Sequence, residues 1–557
     1  MTDASIKAVL QRYDRLLSMR TTYESLWKEL ADYLMPMKSG IGTKLSPGVK
    51  KTQKVFDSTG QHAARNLSAS MQGSLTSPAI RWFRLRMRLE SLNNDTETAR
   101  WLEECANEMY LSYRQSNLNQ ELTEVYLDLA WSGTGALFVE EKAEPSWYPA
   151  FRGFRFLSIP VSEYVIGESA EGRVNTFFRM YEVSAIEAAR SFGLDQVGPA
   201  ITKRLETEPD AMVSIVHGIY PRERKPGLGL MARTMPYASV HLGWDDKNLL
   251  RESGYATFPA LVPRWSKSSG EIYGTGPGHT ALPDVKTLNK ATQMELDAWA
   301  IAIRPPLKVR DDGVVGQVRW SPSAYNSVRD MDAIEAMETK SNFQVGQVKS
   351  EILRQAIKEI FFNSQLQLPS NQPMTATEIE RRWELMQRVL GPTLGRLEAE
   401  LMAPLIERTF DMMMRARALP PPPMAVRQAM AKNRGDIDIE WEGPLARSQK
   451  GTDVAAIERT YAHAINVSQV DPTVVDNLDG DEAIRLIAKA TGTPVAVLRD
   501  PKLVAGIRAE RARVAAEEQQ KQDMERLAMG ASKIAPVMKA MAPQGLASPE
   551  QTASVAA

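Results

Sequence analysis

The stretch from Pro283 to Ile303, PDVKTLNKATQMELDAWAIAI, has no glycine or proline after its first residue, and its apolar residues recur at helical intervals. It therefore reads as one long helix. Arg304-Pro305-Pro306 ends it, because proline can neither donate to the helical ladder nor let the preceding residue stay helical. A second such stretch, 342–362 (NFQVGQVKSEILRQAIKEIFF), predicts a helix about 30 Å long at 1.5 Å per residue. Between the two, LKVRDDGVVGQVRW reads as a small β element in which Asp312-Gly313 supplies a turn. Any fold for this chain must accommodate this succession of long helix, β insert and long helix.

The chain beyond the second helix is also patterned. Residues 363–374, NSQLQLPSNQPM, carry no charge, although 24% of the chain is charged. Residues 375–419 are helical in pattern, with Pro392 and Pro404 expected to kink or divide them. The prolines at 420–423 stop that helix, DIDIEW reads as a strand, and the chain from about 451 is nearly all helix. Its last helical stretch, 505–541, is rich in Ala, Glu, Arg and Gln, and 542–557 is expected to be disordered.

The N-terminal half differs. Leu10, Leu16, Leu17, Leu26, Trp27, Leu30 and Leu34 predict a helix that ends before Pro36, and a second helix is expected to begin near Asp57. RWFRLRMRLE alternates, with Phe83, Leu85, Met87 and Leu89 on one face and Arg84, Arg86 and Arg88 on the other, as a half-buried strand does. The arginine face could meet phosphate, solvent or another subunit. Residues 96–130 read as helical. Residues 134–262 read as short strands and turns interrupted by one helix, AIEAARSFG. The fold class is α+β, mainly helical, and 557 residues imply several domains.

Chemistry is hard to find in this sequence. The five histidines form no HxxxH pair, and no Cys/His cluster has metal-ligand spacing, so neither a metal nor another cofactor is expected. The dipeptide Gly-Lys never occurs, which excludes a P-loop. YGTGPG (Tyr273–Gly278) lacks the lysine and spacing of a phosphate cradle and reads as a turn leading into a helix. Asp311-Asp312 and Asp245-Asp246 read as turn residues, not as a two-metal site. Cys105 lies in a helical pattern and reads as a small buried hydrophobe, and a lone cysteine fits a reducing compartment. The first residues have no apolar core of a signal peptide, and no window is apolar enough to span a membrane, so neither export by a leader nor membrane insertion is expected. The chain does not look like an enzyme. With 68 Lys+Arg against 68 Asp+Glu it also lacks the basic surplus of a tight, sequence-independent DNA binder.

Two blocks carry more than composition. GEIYGTGPGHTALPDVKTLNKA…RPPLKV, from Gly270, and MTATEIERRWELMQRVLGPTLGRLEAELMAPLIERTF…LPPPP…IEWEGPLARSQK, from Met374 to Lys450, resemble the head-to-tail connector, or portal, proteins of short-tailed double-stranded-DNA phages. W…DYLMP, DSTGQHAARNLSASMQGSLTSPAIRWFRL and FPALVPRW extend the resemblance over about residues 5–465. It implies a subunit with wing, stem, clip and crown that assembles as a ring, usually of twelve, around a DNA channel. On that plan the wing is 1–282, the stem helices are 283–303 and 342–362, and the clip between them is 304–341. The tunnel loop is 363–374, the long helix and its return to the wing 375–450, and the crown 451–504. The helix 505–541 is either part of a barrel above the crown or a solvated arm.

The resemblance also gives the uncharged loop a meaning. A ring multiplies every side chain that faces its axis, and a collar of lysines would bind phosphates and grip DNA. Gln365, Leu366, Gln367, Leu368, Ser370, Asn371 and Gln372 would instead offer weak, exchangeable contacts and a loose apolar constriction. Candidate DNA-facing stem residues are Lys286, Lys290, Lys349, Arg354 and Lys358. Glu351 and Glu359 intervene, so ion pairs between the stems of neighbouring subunits are an equal reading. Clip candidates are Lys308, Arg310, Asp311, Asp312 and Arg319. The implied partners are further copies of the chain, double-stranded DNA, the terminase large subunit, major capsid and scaffolding proteins, a tail adaptor and internal ejection proteins. The implied place is the capsid portal vertex of the virion, after assembly in the host cytoplasm. The rival readings are a non-portal virion structural protein such as a tail adaptor, and, behind it, a DNA-processing enzyme.

Overall fold

The computed structural model describes residues 3–42, 48–93, 95–142, 151–222, 234–310, 312–319, 324–337, 343–363, 391–432, 437–441, 444–469, 471–491, 493, 497–499 and 501–540. The chain divides into two units, Met1–Thr491 and Gly492–Ala557.

The first unit is built around helices α1 (Asp3–Leu34), α2 (Thr59–Leu75), α3 (Glu90–Asn93), α4 (Thr96–Arg114) and α5 (Leu118–Ser132). Their apolar stripes meet in one core, where Trp27, Leu30, Leu67, Met109, Tyr126 and Trp131 are buried. Asp95 caps α4, its side chain accepting from the Thr98 backbone N–H. The strand expected at RWFRLRM is present as β1 (Phe83–Met87), with Phe83, Leu85 and Met87 buried. It pairs antiparallel with β14 (Ile437–Trp441), the expected DIDIEW strand. Leu89, placed with the buried face by the alternation, is instead exposed, because the strand ends at Met87 and α3 begins at Glu90. The arginine stripe faces acids of its own chain. The register sets Arg84 opposite Glu440 and Arg86 opposite Asp438, and Arg86 pairs with Glu90 at 2.5 Å.

The middle of this unit carries two sheets. The first has the order β3 (Phe154–Ser158), β2 (Leu137–Glu141), β9 (Ala260–Leu261). The second is an antiparallel run of β4 (Tyr164–Glu168), β5 (Val174–Ser184), β6 (Met212–Pro221), β7 (Tyr237–Gly243) and β8 (Leu249–Tyr255). The first half of α1 packs on this larger sheet through Ile6, Val9, Leu10 and Tyr13. Two helices interrupt the strands, not one: α6 (Ala185–Phe192), as expected, and α7 (Pro199–Thr207). The missed helix had a signal, since Gly198 stands at its N-cap and Pro199 opens its first turn.

The expected long helix starts earlier than Pro283. Helix α8 spans Pro277–Ile303 and carries Pro283 inside it at the loss of one ladder bond. YGTGPG is thus the entry to the helix, with Gly276 at its N-cap. The β insert pairs β10 (Leu307–Val309) with β13 (Ile334–Ala336) and β11 (Val314–Val315) with β12 (Ser327–Val328). Asp312-Gly313 does form a turn, the Gly313 N–H donating to the Arg310 carbonyl at 3.1 Å. Helix α9 spans Phe343–Ile360, and the chain turns at Phe361 and at Phe362, which has a φ of 58°.

From residue 391 the chain is helical again. At Glu398–Met402 the helix takes a π turn, and Ala403–Arg415 continues as an α-helix. Proline at 404 was expected to disturb the helix, and the π turn immediately before it is that disturbance. The helix ends at Arg415, ahead of the four prolines, with Arg417 at a φ of 55°. Further helices follow at Met424–Ala431, Pro444–Ser468 and Gly480–Thr491. In the second unit the described secondary structure is dominated by a single helix, Pro501–Ala540, close to the expected 505–541.

Candidate functional site

The long-helix pair has a buried root and an exposed outer half. At the root, Ala281, Leu282, Val285, Leu288 and Asn289 of α8 are buried, as are Ile357 of α9 and Phe361 just beyond it. Glycine permits this seating. A Cβ at Gly278 would lie 2.4 Å from the Trp131 carbonyl oxygen, and one at Gly276 would lie 2.5 Å from the Leu129 oxygen. Gly133, with a φ of 74°, closes α5 at the same contact, so the end of α5 and the start of α8 touch backbone to backbone. His279 accepts from the Gly276 N–H through Nδ1 at 3.1 Å, and burial holds its pKa down at about 4, so the ring is neutral.

Polar ties fix the root to the N-terminal part of the chain. The Asn289 Oδ1 accepts from the backbone N–H groups of Phe56 (2.7 Å) and Asp57 (3.0 Å), and its Nδ2 donates to the Val285 carbonyl (2.8 Å). Arg354 Nε donates to Asp57 Oδ2 at 3.0 Å, and Lys286 Nζ pairs with Glu29 at 2.5 Å. Burial pushes the Asp57 carboxyl up, but the bonds from Thr59 and Arg354 outweigh it and hold it below the usual value. Both helices are thus tethered to the segment that leads into α2, and α8 also to α1.

Of the stem cations read from the sequence, Arg354 and Lys286 therefore have partners within their own chain. Arg354 also reaches Glu351 at 3.3 Å. Lys290 is exposed and its Nζ donates to Gln293 at 3.3 Å. Lys349 is exposed and Lys358 half-buried, and neither has an ion-pair partner among the described residues. In the insert, exposed Lys308 lies across from Glu335, Arg310 pairs with Asp330 at 3.1 Å, and Asp312 is exposed in its turn. The Arg319 N–H donates to Asn326 Oδ1 at 2.7 Å. Asp311 and the loop residues Gln365, Leu366, Gln367, Leu368, Ser370, Asn371 and Gln372 lie outside the described residues.

Beyond the root, α8 changes character. Met294, Leu296, Trp299, Ile301 and Ile303 are exposed, and at 100° per residue they fall on two opposite sides of the helix, Met294 and Ile301 on one and Leu296, Trp299 and Ile303 on the other, with Glu295 and Asp297 between them. On α9, Val348 and Ile352 are 62% and 63% exposed.

Three buried arginines escaped the sequence reading: Arg20, which donates to the Ser162 and Tyr164 carbonyls, Arg264 and Arg408. Arg264, with a side chain 1% exposed, donates to both carboxylate oxygens of Glu400 (2.6 Å from Nη2, 3.2 Å from Nε). It also bonds Glu168 and the carbonyls of Gly172 (3.0 Å) and Ile272 (3.2 Å). Lys267 shares Glu168 at 2.8 Å, and Arg396 shares Glu400 at 3.3 Å. Arg408 donates to the Val139 and Thr257 carbonyls and lies 5.4 Å from the centre of the Tyr255 ring. Burial lowers its pKa to about 10. A signal existed for Arg264, a lone arginine in the otherwise apolar FPALVPRW, but not for Arg408, which Glu407 and Thr409 flank in LIERTF.

These contacts tie β2, β4, the segment before α8 and the 391–415 helix together. Among the described residues no three His, Cys, Asp or Glu side chains gather as a metal site would need, and no helix is long and apolar enough to cross a membrane. A family model described as "bacteriophage head to tail connecting protein" matches residues 6–498. The chain belongs to this family. Among its relatives, this connector chain is 29% identical over 517 residues to a probable portal protein of Bordetella phage BPP-1, covering 91% of each chain. It is 29% identical over 530 residues to the portal protein of Salmonella phage epsilon15, covering 92% of each. A chain from the neck of a native GTA particle, computed with C12 symmetry, aligns over 77% of the connector and 94% of its own length at 13% identity. Its TM-score, 0.34, is too low to carry an argument about the fold.

Proposed function

We propose that this chain is the portal subunit of a short-tailed double-stranded-DNA phage. Copies of it, twelve on the family's plan, close into a ring at one capsid vertex. The genome enters and leaves through the channel of that ring. Membership in the head to tail connecting family and the portal relatives, matched over nine-tenths of their length, support the reading. The observation in the structure that carries it is the outer half of α8. Apolar residues on two opposite sides of one helix call for two covering surfaces, and in the single chain Met294, Leu296, Trp299, Ile301 and Ile303 are exposed. A ring of stems would cover them.

In this reading the protein is structural and performs no catalysis. The packaging ATPase is a separate terminase subunit that docks on the ring, as do capsid, scaffolding and tail adaptor proteins and the internal ejection proteins. The ring assembles in the host cytoplasm and ends in the virion. Residues 1–282 serve as wing, 283–303 and 342–362 as stem, 304–341 as clip, 363–374 as the channel-facing tunnel loop and 451–504 as crown. Lys290, Lys349 and Lys358 are the stem cations with least commitment inside the chain, and they are open either to DNA or to a neighbouring subunit. Electron microscopy of the purified protein tests the proposal: rings with a central hole are expected, and a monodisperse monomer would overturn it.

A further inference from the structure

Two surfaces of the stem are complementary and belong to different sides of it. Between α8 and α9 lies an open groove of about 650 Å³, with an apolar floor that includes Ala291, Met294, Ala298 and Leu353. Lys290 and Lys349 stand at its rim, joined by Lys286, whose charge Glu29 already shares; one acid, Glu295, also lines it, its carboxylate accepting from the Ser350 hydroxyl at 2.7 Å. A second face of α9 presents Val348, Glu351, Ile352, Gln355 and Glu359, all exposed; Val348 and Glu351 also edge a smaller pocket with Glu295 and Trp299 of α8, and Glu351 lies 3.3 Å from Arg354. Their spacing of i, i+3, i+4, i+7 and i+11 puts them on one helical face. That ridge is apolar at its outer end and acidic along its length, whereas the groove is apolar in its floor and cationic at its rim.

We propose that neighbouring copies engage head to tail through the stem, the Val348–Glu359 ridge of one copy seating in the Lys290/Lys349 groove of the next. The inference rests on the ring reading above and names the contact that joins one stem to the next. Because ridge and groove are different patches, each copy uses one of them toward either neighbour, which is the heterologous arrangement that closes into rings and not into two-fold dimers. It also assigns Lys290 and Lys349 to neighbouring subunits in place of DNA.

Two charge-reversed chains test this, one with Lys290→Glu and Lys349→Glu, the other with Glu351→Lys and Glu359→Lys. All four residues are exposed, so both chains should fold, with melting curves like that of the parent. Each alone sets like charges against like and should need at least tenfold more protein than the parent to form rings, read by sedimentation velocity at low salt. An equimolar mixture should form rings at the parent's concentration, because the acidic ridge of the first fits the basic groove of the second, and the reverse. If the parent forms rings and either variant alone does so equally well, or if the mixture fails to recover them, this contact is wrong while the ring reading stands. If the parent itself forms no ring under any condition, the ring reading falls and the contact with it.

Discussion

Replacing Arg264 by leucine removes the centre of a network that joins β4, the turn before α8 and the π-turn helix. Its guanidinium is almost wholly buried, and the acids it serves, Glu168 and Glu400, have side chains only 16% and 18% exposed. Removing one partner of a buried ion pair costs about 3–5 kcal/mol, because the other charge is left desolvated and unmatched. Here the lower end applies, since Glu168 keeps Lys267 while Glu400 keeps Arg396 and the backbone N–H of residue 264. An unfolding entropy of about 2.1 cal/mol/K per residue, taken over the Met1–Thr491 unit, comes to about 1 kcal/mol/K. The midpoint of that unit's transition should therefore fall by about 3 °C in differential scanning calorimetry. Arg264→Lys should recover only part of the loss, because an ammonium cannot fork across Glu400 while also reaching Glu168 and two carbonyls. Arg264→Leu combined with Glu400→Gln should be less damaging than the sum of the two single changes, by about 1 kcal/mol or more. A shift below about 1 °C, or strict additivity, would refute the network as the tie between these elements.

Asp57→Asn should loosen the stem root, read as faster amide exchange in α9. Because the Asp57 carboxyl is held below its ordinary value in the fold, its contribution is present above pH about 4 and is lost as pH falls through the folded-state value, so parent and variant should converge in acid. Gly278→Ala places a methyl against the Trp131 backbone, which cannot yield, and should cost about 1–3 kcal/mol in thermal melts. The Cys105 thiol, buried and pushed up to about 12 by that burial, should resist Ellman's reagent at pH 8 in the native protein and react fully once unfolded. If residues 363–374 line the channel as proposed, Gln365→Lys with Gln367→Lys should impede packaging or ejection by adding a cationic collar, and normal packaged length and normal release would sink the sliding-surface idea.

The helices were legible wherever their apolar spacing was uninterrupted, which is why α1, α2 and α9 lie close to their expected limits, while the 501–540 helix was legible from its run of strong helix formers, Ala, Glu, Arg and Gln. The start of α8 was not, because Pro283 reads as a beginning when only local preference is weighed. The Gly276-Pro277 entry and the packing of α8 on α5 override that preference. Leu89 misled for a similar reason: alternation says which face a strand buries but not where the strand stops. The polar ties at the root were the least legible part. Asn289 sits one residue after Leu288 on a buried stripe, and nothing in the pattern says that its partners are backbone groups more than two hundred residues earlier. The same holds for the stem cations. Sequence spacing placed Lys286 and Arg354 on helix faces, yet only the fold shows that Glu29 and Asp57 already engage them.

The π turn at Glu398–Met402 gives this helix one place where its length can change cheaply. A π turn takes up one residue more than an α turn, as the bond from the Ala403 N–H to the Glu398 carbonyl shows. Deleting a residue there would let the ladder relax to ordinary α geometry while both flanks keep their orientation. The same deletion within Ala403–Arg415 would rotate everything on one side of it by about 100° and pull Arg408 off its carbonyls. Spare chain is thus stored at the turn that also carries Glu400, and natural length variation in this helix should collect at that point.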